Sequence, residues 1–493
     1  MVTPCSITRP RRAWLASAAI AGLVWLGAAS PAHAQQLTFR YGPIAVRPYS
    51  VDERDAAYDI PKPNVDGFVT SMEAHLVDAN GARVPVQRVM LHHVIFSNAG
   101  SRLGDKRNPT CGRITMFDGV TQVPGLSEPF FGSAEEDVTG RFPSGYGYPV
   151  KGADRWVLTW MLMNHQNRPD SVYIQYTLDY QTGPGLTPAY PVGLDVRDCR
   201  LDPVFDVPGG GPPGSTFSQS TTWTAPYSGR IVAALGHLHG GGKDAVLTQP
   251  DCGDRTLVRS VPTWGLPDDP FYRVRPILHE PGPINMSLVT SKTGFPVAAG
   301  QRLKLTVNYD DQLPHMRVMG IMGLYITPDP KVTGCAPLPT DVHVQGSDRP
   351  GRSAAPQVTV PINAVGPGGT AGPIAAPFGP TVLLPSGSSI DAADLSFDPA
   401  NVAVQPGSLL RWTFYGPTLH NVTLANGPEG FSSPNLSDGR IFETRLTKPG
   451  TYQLFCTLHP TVMTETVRVL PPAFAPPRPR ARRHHHGRHR RRS

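Results

Sequence analysis

Three groups of residues in this chain have the types and spacing to hold a metal. Near the C-terminus, Pro417-Thr-Leu-His-Asn-Val-Thr-Leu424 supplies His420, and Gly450-Thr-Tyr-Gln-Leu-Phe-Cys-Thr-Leu-His-Pro-Thr-Val-Met463 supplies Cys456, His459 and Met463. Two imidazoles, one thiolate and a weak thioether form the donor set of a blue-copper electron-transfer site, in which the thiolate couples to the metal and the thioether tunes its potential. Further upstream, His237 and His239 stand two apart in Ala233-Ala-Leu-Gly-His-Leu-His-Gly-Gly-Gly242. On a strand that spacing puts both rings on one face, which suits a metal with two nitrogen ligands and open positions. His92 and His93 are adjacent, so they can serve one metal only where their strand is bent or ends. His165 sits where the apolar run from Trp160 meets a polar loop, and Met316, Met319 and Met322 recur every three residues. That interval is not strand periodicity, so at most one of the three shares a face with a given ligand.

The elements that must position these residues are strands. The chain has 493 residues, enough for two to four domains, with 50 Gly and 55 Pro punctuating short apolar runs. Residues 35–190 predict strands at Val84–Val89, Leu91–Phe96, Trp156–Leu162 and Val172–Tyr180; residues 191–337 predict Gly229–Leu235, Leu303–Tyr309 and Val318–Ile326. The expected fold is all-β: two consecutive jelly-roll-type β-sandwiches, a Pro/Gly/Ala-rich mobile linker over 338–384, and a third sandwich over 385–470 that carries the cysteine site. Residues 471–493 are a Pro-rich then Arg/His-rich tail, whose composition predicts disorder and contact with anionic surfaces.

Residues 1–34 predict a cleaved export signal: Arg9, Arg11 and Arg12 precede an apolar run, and Ala32-His-Ala34 fits the cleavage site. Arg11-Arg12-Ala-Trp-Leu15 resembles a twin-arginine signal. A secreted or periplasmic location follows as the expectation. The three arginines of that leader and the eight of the tail exceed the whole formal charge of +7. The body of the chain therefore gives no basis for specific nucleic-acid binding. Without Cys5, five cysteines remain, an odd number that leaves Cys456 for the metal and Cys111, Cys199, Cys252 and Cys335 for disulfides of unassigned pairing.

The C-terminal unit resembles the cupredoxins, the family of plastocyanin and amicyanin, including Gly450-Thr-Tyr before the copper loop. The likeness implies His420, Cys456, His459 and Met463 as ligands of a type 1 copper, with Asn421 tying the two ligand-bearing segments together. Taken in order, His-His, His, His-x-His and Met over roughly residues 60–330 resemble the copper type II, ascorbate-dependent monooxygenases, the family of the peptidylglycine and dopamine β-monooxygenases. That resemblance implies an electron-storing copper on His92, His93 and His165, and an oxygen-activating copper on His237, His239 and Met319. Met319 is chosen because Val318-Met-Gly-Ile-Met-Gly-Leu-Tyr-Ile-Thr-Pro328 aligns without gaps to the family's methionine strand. A Cys199–Cys335 bridge would match one of theirs. Peptide-amidating members place an arginine where this chain has Leu235, which argues against a glycine-extended peptide. The expected partners are O₂, a small-molecule or peptide substrate not identified by the residues, and ascorbate or a redox protein as donor. The competing expectation is a non-enzymatic copper-binding or electron-carrier protein built on the same ligands.

Overall fold

The computed structural model describes residues 33–52, 56–98, 114–115, 122–123, 128–134, 139–197, 203–273, 278–356, 363–365, 371–373, 377 and 379–472. Most of the expected export signal, Cys111, Cys199 and the Arg/His tail lie outside the described residues. Elsewhere the chain is built of strands, with a four-residue helical turn at Pro270–Arg273 and a short 3₁₀ turn at Pro250–Cys252.

The first sandwich faces a six-stranded sheet against a five-stranded one. In the first sheet, Asp170–Thr182 alternates buried and half-buried residues between His33–Val46 and Gly67–Val77, as a half-solvated strand does. In the second, Trp156–Asn164 pairs with Val89–Asn98 and is buried at all nine positions. Its continuous apolar run follows from that place: one face meets the sandwich core and the other meets the next domain. The pairing skips one residue at His92, because Met161 registers with His93 and Leu162 with Leu91. This bulge is the bend that lets adjacent imidazoles converge. The strand expected at Val84–Val89 is instead a turn: Pro85 has no N–H to give a ladder, and its carbonyl accepts from Arg88 and Val89.

The second sandwich sets Gly229–Leu238 between Gly320–Pro328 and Leu288–Val297, with Thr216–Thr224, Arg302–Asp310, Gly242–Gln249 and Arg255–Ser260 opposite. Residues 343–345, inside the stretch expected to be a linker, extend the first of these sheets by pairing with Leu288–Thr290. Arg352 then exchanges two backbone hydrogen bonds with Trp264. Cys335 bonds to Cys252, and not to Cys199, closing a loop across 83 residues. The two sandwiches are joined by an apolar cluster in which Val51, Met90, Met161 and Met163 of the first meet Trp264, Tyr272, Leu278 and Ile284 of the second. Burying each such side chain contributes about 1.5–3 kcal/mol, so this junction is held by packing and not by a hinge alone.

The third sandwich packs Ile390, Trp412, Phe414, Tyr452, Leu454 and Val467 between its five- and four-stranded sheets. It also rests on the second. Ser432 Oγ donates to Asp206 at 2.8 Å, Gly430 N donates to the Pro208 carbonyl at 2.9 Å, and the Arg317 guanidinium donates to the Ser433 carbonyl at 3.1 Å. Met316 packs against the third core from outside it.

Candidate metal centres

At the end of the third sandwich, His420 follows a bend and Cys456 directly follows the strand Gly450–Phe455. His420 Nδ1 and His459 Nδ1 lie 3.2 Å apart, and Cys456 Sγ lies 3.5 Å from His459 Nδ1. The loop is a tight turn in which His459 N donates to the Cys456 carbonyl and Met463 N to the His459 carbonyl. Cys456 N then donates to the Met463 carbonyl, so Met463 is buried in the core beside the sulfur-bearing segment. Asn421 joins the two segments. Its Nδ2 donates to Thr457 Oγ1 at 2.7 Å and Asn435 Oδ1 at 2.9 Å, its Oδ1 accepts from Thr457 N at 3.0 Å, and its backbone N–H points at the Cys456 sulfur. Cys456 is buried and in no disulfide, and burial pushes its thiol up to about 11. A thiolate forms there only with a cation at the sulfur, and a soft metal flanked by two imidazoles meets that condition. Burial also holds His420 below its ordinary value, favouring the neutral ring that coordinates.

The upstream histidines do not separate into one group per sandwich. They meet at the junction between the two. His92 Nδ1 lies 3.0 Å from His93 Nδ1, and His239 Nε2 lies 3.2 Å from His237 Nε2, as the bulge and the two-residue spacing dictate. Between the pairs stands His279, whose Nε2 is 3.0 Å from His92 Nε2. The His92 ring centroid is 5.4 Å from that of His239 and 4.4 Å from that of His279. One donor nitrogen from each of His92, His239 and His279 falls within 4.8 Å of the others. His165 is buried, close enough to act electrostatically on His279. Burial, reinforced by neighbouring imidazoles, pushes His93 and His279 down to about 3 and drives His92 and His239 well below their usual range. Neutral rings whose ring nitrogens converge, with no carboxylate in the converging set among the described residues, are a donor set suited to copper.

The three methionines part company because the strand breaks at Met319, between His315–Val318 and Gly320–Pro328. Met322 is fully buried in the second core, Met316 faces the third sandwich, and Met319 lines a cavity of about 220 Å³ with His92, His239 and His279. That cavity also touches Thr423, Phe455 and Thr457 beside the cysteine site. A carboxylate–imidazole pair borders it: His315 Nδ1 lies 2.8 Å from Glu280 Oε1. Burial opposes charge on His315, but Glu280, with Asp310 and Asp311 behind it, lifts it above its ordinary value. The glycines after His239 make room for this pair. A Cβ at Gly240 would stand 2.4 Å from Glu280 Cδ, and one at Gly241, where φ is +77°, 2.2 Å from His315 Nε2. Sequence reasoning missed both His279 and this pair; the His279-Glu-Pro-Gly run in a Pro-rich loop was the one available signal.

Residues 386–470 match the family described as copper binding proteins, plastocyanin/azurin family. Amicyanin-alpha of Methylorubrum extorquens is 30% identical over 87 residues, 17% of this chain and 73% of that protein. Among solved structures, a copper(I) form of an amicyanin variant aligns at 24% identity over 17% of this chain and 80% of that one, with a TM-score of 0.16. The reduced state of another amicyanin variant aligns at 25% identity over 16% and 79%, also with a TM-score of 0.16.

Proposed function

The chain belongs, through residues 386–470, to the plastocyanin/azurin family of copper-binding proteins, and from that premise we propose that it is an exported copper-dependent monooxygenase with its own electron-transfer domain. The reaction is hydroxylation of a C–H bond: R–H, O₂, two electrons and two protons give R–OH and water. When bound, copper supplies one-electron redox chemistry and contact with dioxygen. The protein residues do the rest. His420, Cys456, His459 and Met463 hold the type 1 metal of the C-terminal domain. The junction histidines His92, His93, His165, His237, His239 and His279, with Met319, would supply the donors for the copper chemistry that meets O₂, with His92, His239 and His279 as the converging set. Burial keeps the rings of His92, His93, His239 and His279 neutral. Electrons enter from ascorbate or a redox protein.

One observation carries this reading. Histidines from two sandwiches converge on a cavity whose far wall, Phe455 and Thr457, flanks Cys456. Such adjacency suits electron delivery across a docked interface. It supports electron delivery from the C-terminal domain more directly than a mobile tether would. The experiment is copper loading with oxygen uptake. More than one copper per chain, one of them blue, is expected, with substrate-dependent oxygen consumption that His237→Ala abolishes while the blue absorbance persists. Full loading with no oxygen consumption across a metabolite panel would leave a non-enzymatic copper carrier. A single blue copper would leave only the C-terminal domain functional.

A further inference from the structure

The junction histidines separate two chambers, and the second is unlike the first. On the side away from the cysteine site lies a cavity of about 210 Å³, whose floor is His93 and His237. Its walls are largely apolar: Val69, Phe130 and Phe142 from the first sandwich, Leu235, Ile321 and Tyr325 from the second. Tyr325 closes one wall by donating its hydroxyl to the Phe130 carbonyl and packing edge-on against Phe142. The one lining lysine, arginine or carboxylate side chain among the described residues is Arg141, whose exposure puts it at the rim.

What keeps this space open is a set of glycines. Gly193 and Gly323 are directly paired across neighbouring strands, and Gly323 is also paired with Leu235. A Cβ at Gly193 would meet nothing within 4 Å, and one at Gly323 would meet only the Leu235 carbonyl oxygen at 4.0 Å. Neither has a positive φ, so neither glycine is required by backbone conformation. Gly236 makes the contrast, since a Cβ there would press on Ser260 and Ala245 at 3.0–3.1 Å. Glycine inside a strand costs about 0.5–1 kcal/mol relative to alanine. Gly193 is exposed and Gly323 half-buried, so the pair opens a bare patch of sheet onto the cavity, and with nothing to clash against it leaves room for another molecule.

We propose that this glycine-lined cavity is the substrate site, and that its substrate is a small uncharged molecule with an apolar body, presenting a C–H bond to His237 and His93. This assignment rests on the monooxygenase reading for its chemistry, though not for its binding. Size follows from the volume: an apolar cavity of ~150 Å³ takes up benzene, so this one fits a single ring with a short side chain. Charge follows from the lining. A carboxylate or ammonium seated against these walls would lose part of its hydration and find no counter-charge short of Arg141 at the rim. Leu235 is part of that lining.

The test is calorimetric titration of the full-length, copper-loaded chain with three probes of one size: ethylbenzene, 2-phenylethylamine and phenylacetate. Ethylbenzene is expected to bind roughly tenfold or more tighter than either ion. Gly323→Leu fills the cavity and is expected to weaken ethylbenzene by roughly tenfold, with copper content and blue absorbance unchanged. If that variant does not fold, Gly193→Ala, whose methyl meets nothing, decides the matter through a smaller loss in the same direction. Equal binding of a charged probe, no binding of ethylbenzene, or affinity indifferent to the glycine substitutions would overturn the proposal. Oxygen uptake separates the two claims. Neutral probes that bind without supporting uptake would sink the oxygenase reading and keep the cavity. Uptake driven by phenylacetate alone would keep the oxygenase and sink the cavity assignment.

Discussion

Replacing Asn421 by alanine removes the side chain that ties the two ligand-bearing segments of the C-terminal domain. Four hydrogen bonds go with it: to Asn435 Oδ1, to Thr457 Oγ1, from Thr457 N, and from Thr423 Oγ1 at 2.9 Å. The Thr457 oxygen and Asn435 lie where water can reach them, but the Thr423 hydroxyl is buried and the Thr457 N–H sits within the turn. Bonds that water can replace are worth about 0.5–1.5 kcal/mol each, and donors stranded without a partner cost about 1–3 kcal/mol each. The expected loss is therefore about 3–9 kcal/mol, a large fraction of the ~5–15 kcal/mol that holds a domain folded. Denaturant unfolding of the full chain, followed in parallel by the blue absorbance and by far-ultraviolet circular dichroism, measures it. The blue signal should vanish at much lower denaturant than in the wild type, while the transition of the upstream sandwiches stays where it was. A shift below about 1 kcal/mol would show that the loop holds its own shape without Asn421, and the positioning argument would fail.

Other outcomes follow from single contacts. Glu465 is buried, accepts from Trp412 Nε1 at 2.8 Å, and burial raises its carboxyl to about 8 from 4.5. Between those values the native state keeps a proton that the unfolded chain has released, so stability should fall as pH rises through the window, by up to ~1.4 kcal/mol per unit. Glu465→Gln keeps the acceptor and should flatten that profile; parallel pH profiles for the two proteins would contradict the assignment. Cys335→Ser opens the 83-residue loop and should lower stability by about 4 kcal/mol in thermal unfolding, whereas Cys199→Ser should do nothing to that bond. Arg317→Gln removes the guanidinium that bonds Ser433 and acts electrostatically on Cys456. A cation there favours the reduced metal, so the potential of the blue centre should fall by about 1 kcal/mol, or ~40 mV, in spectroelectrochemical titration. An unchanged potential would reduce Arg317 to a structural contact.

Local patterns made the third sandwich legible from the chain alone, because Cys456, His459 and Met463 share one turn and Asn421 sits beside His420. The His237–His239 geometry was legible too, since it needs only the alternation of a strand. The adjacent pair His92–His93 could be read only conditionally, and the bulge opposite Met161 and Leu162 supplies the condition. What sequence order could not reveal is how two sandwiches dock. It assigns a histidine to a strand, but the meeting of His92 with His239 depends on the contact of Met161 and Met163 with Trp264 and Leu278. His279 lay beyond reach for the same reason, as a lone histidine in a Pro-rich loop has no periodicity to place it. The extent of the linker was overestimated because residues 343–345 are an edge strand among prolines and glycines. Such short edge strands carry little alternation to detect.

The contact of Ser432 with Asp206 and of Arg317 with Ser433 alters the kinetics expected between the two halves of the chain. A domain swinging on a tether must find its partner on every cycle, at a rate set by viscosity, salt and the length of connecting chain. A seated domain has no search to make. Transfer across this interface should then be first order, indifferent to protein concentration, and unaffected by residues inserted into the connecting segment, with the gap between Cys456 and the junction histidines as its barrier.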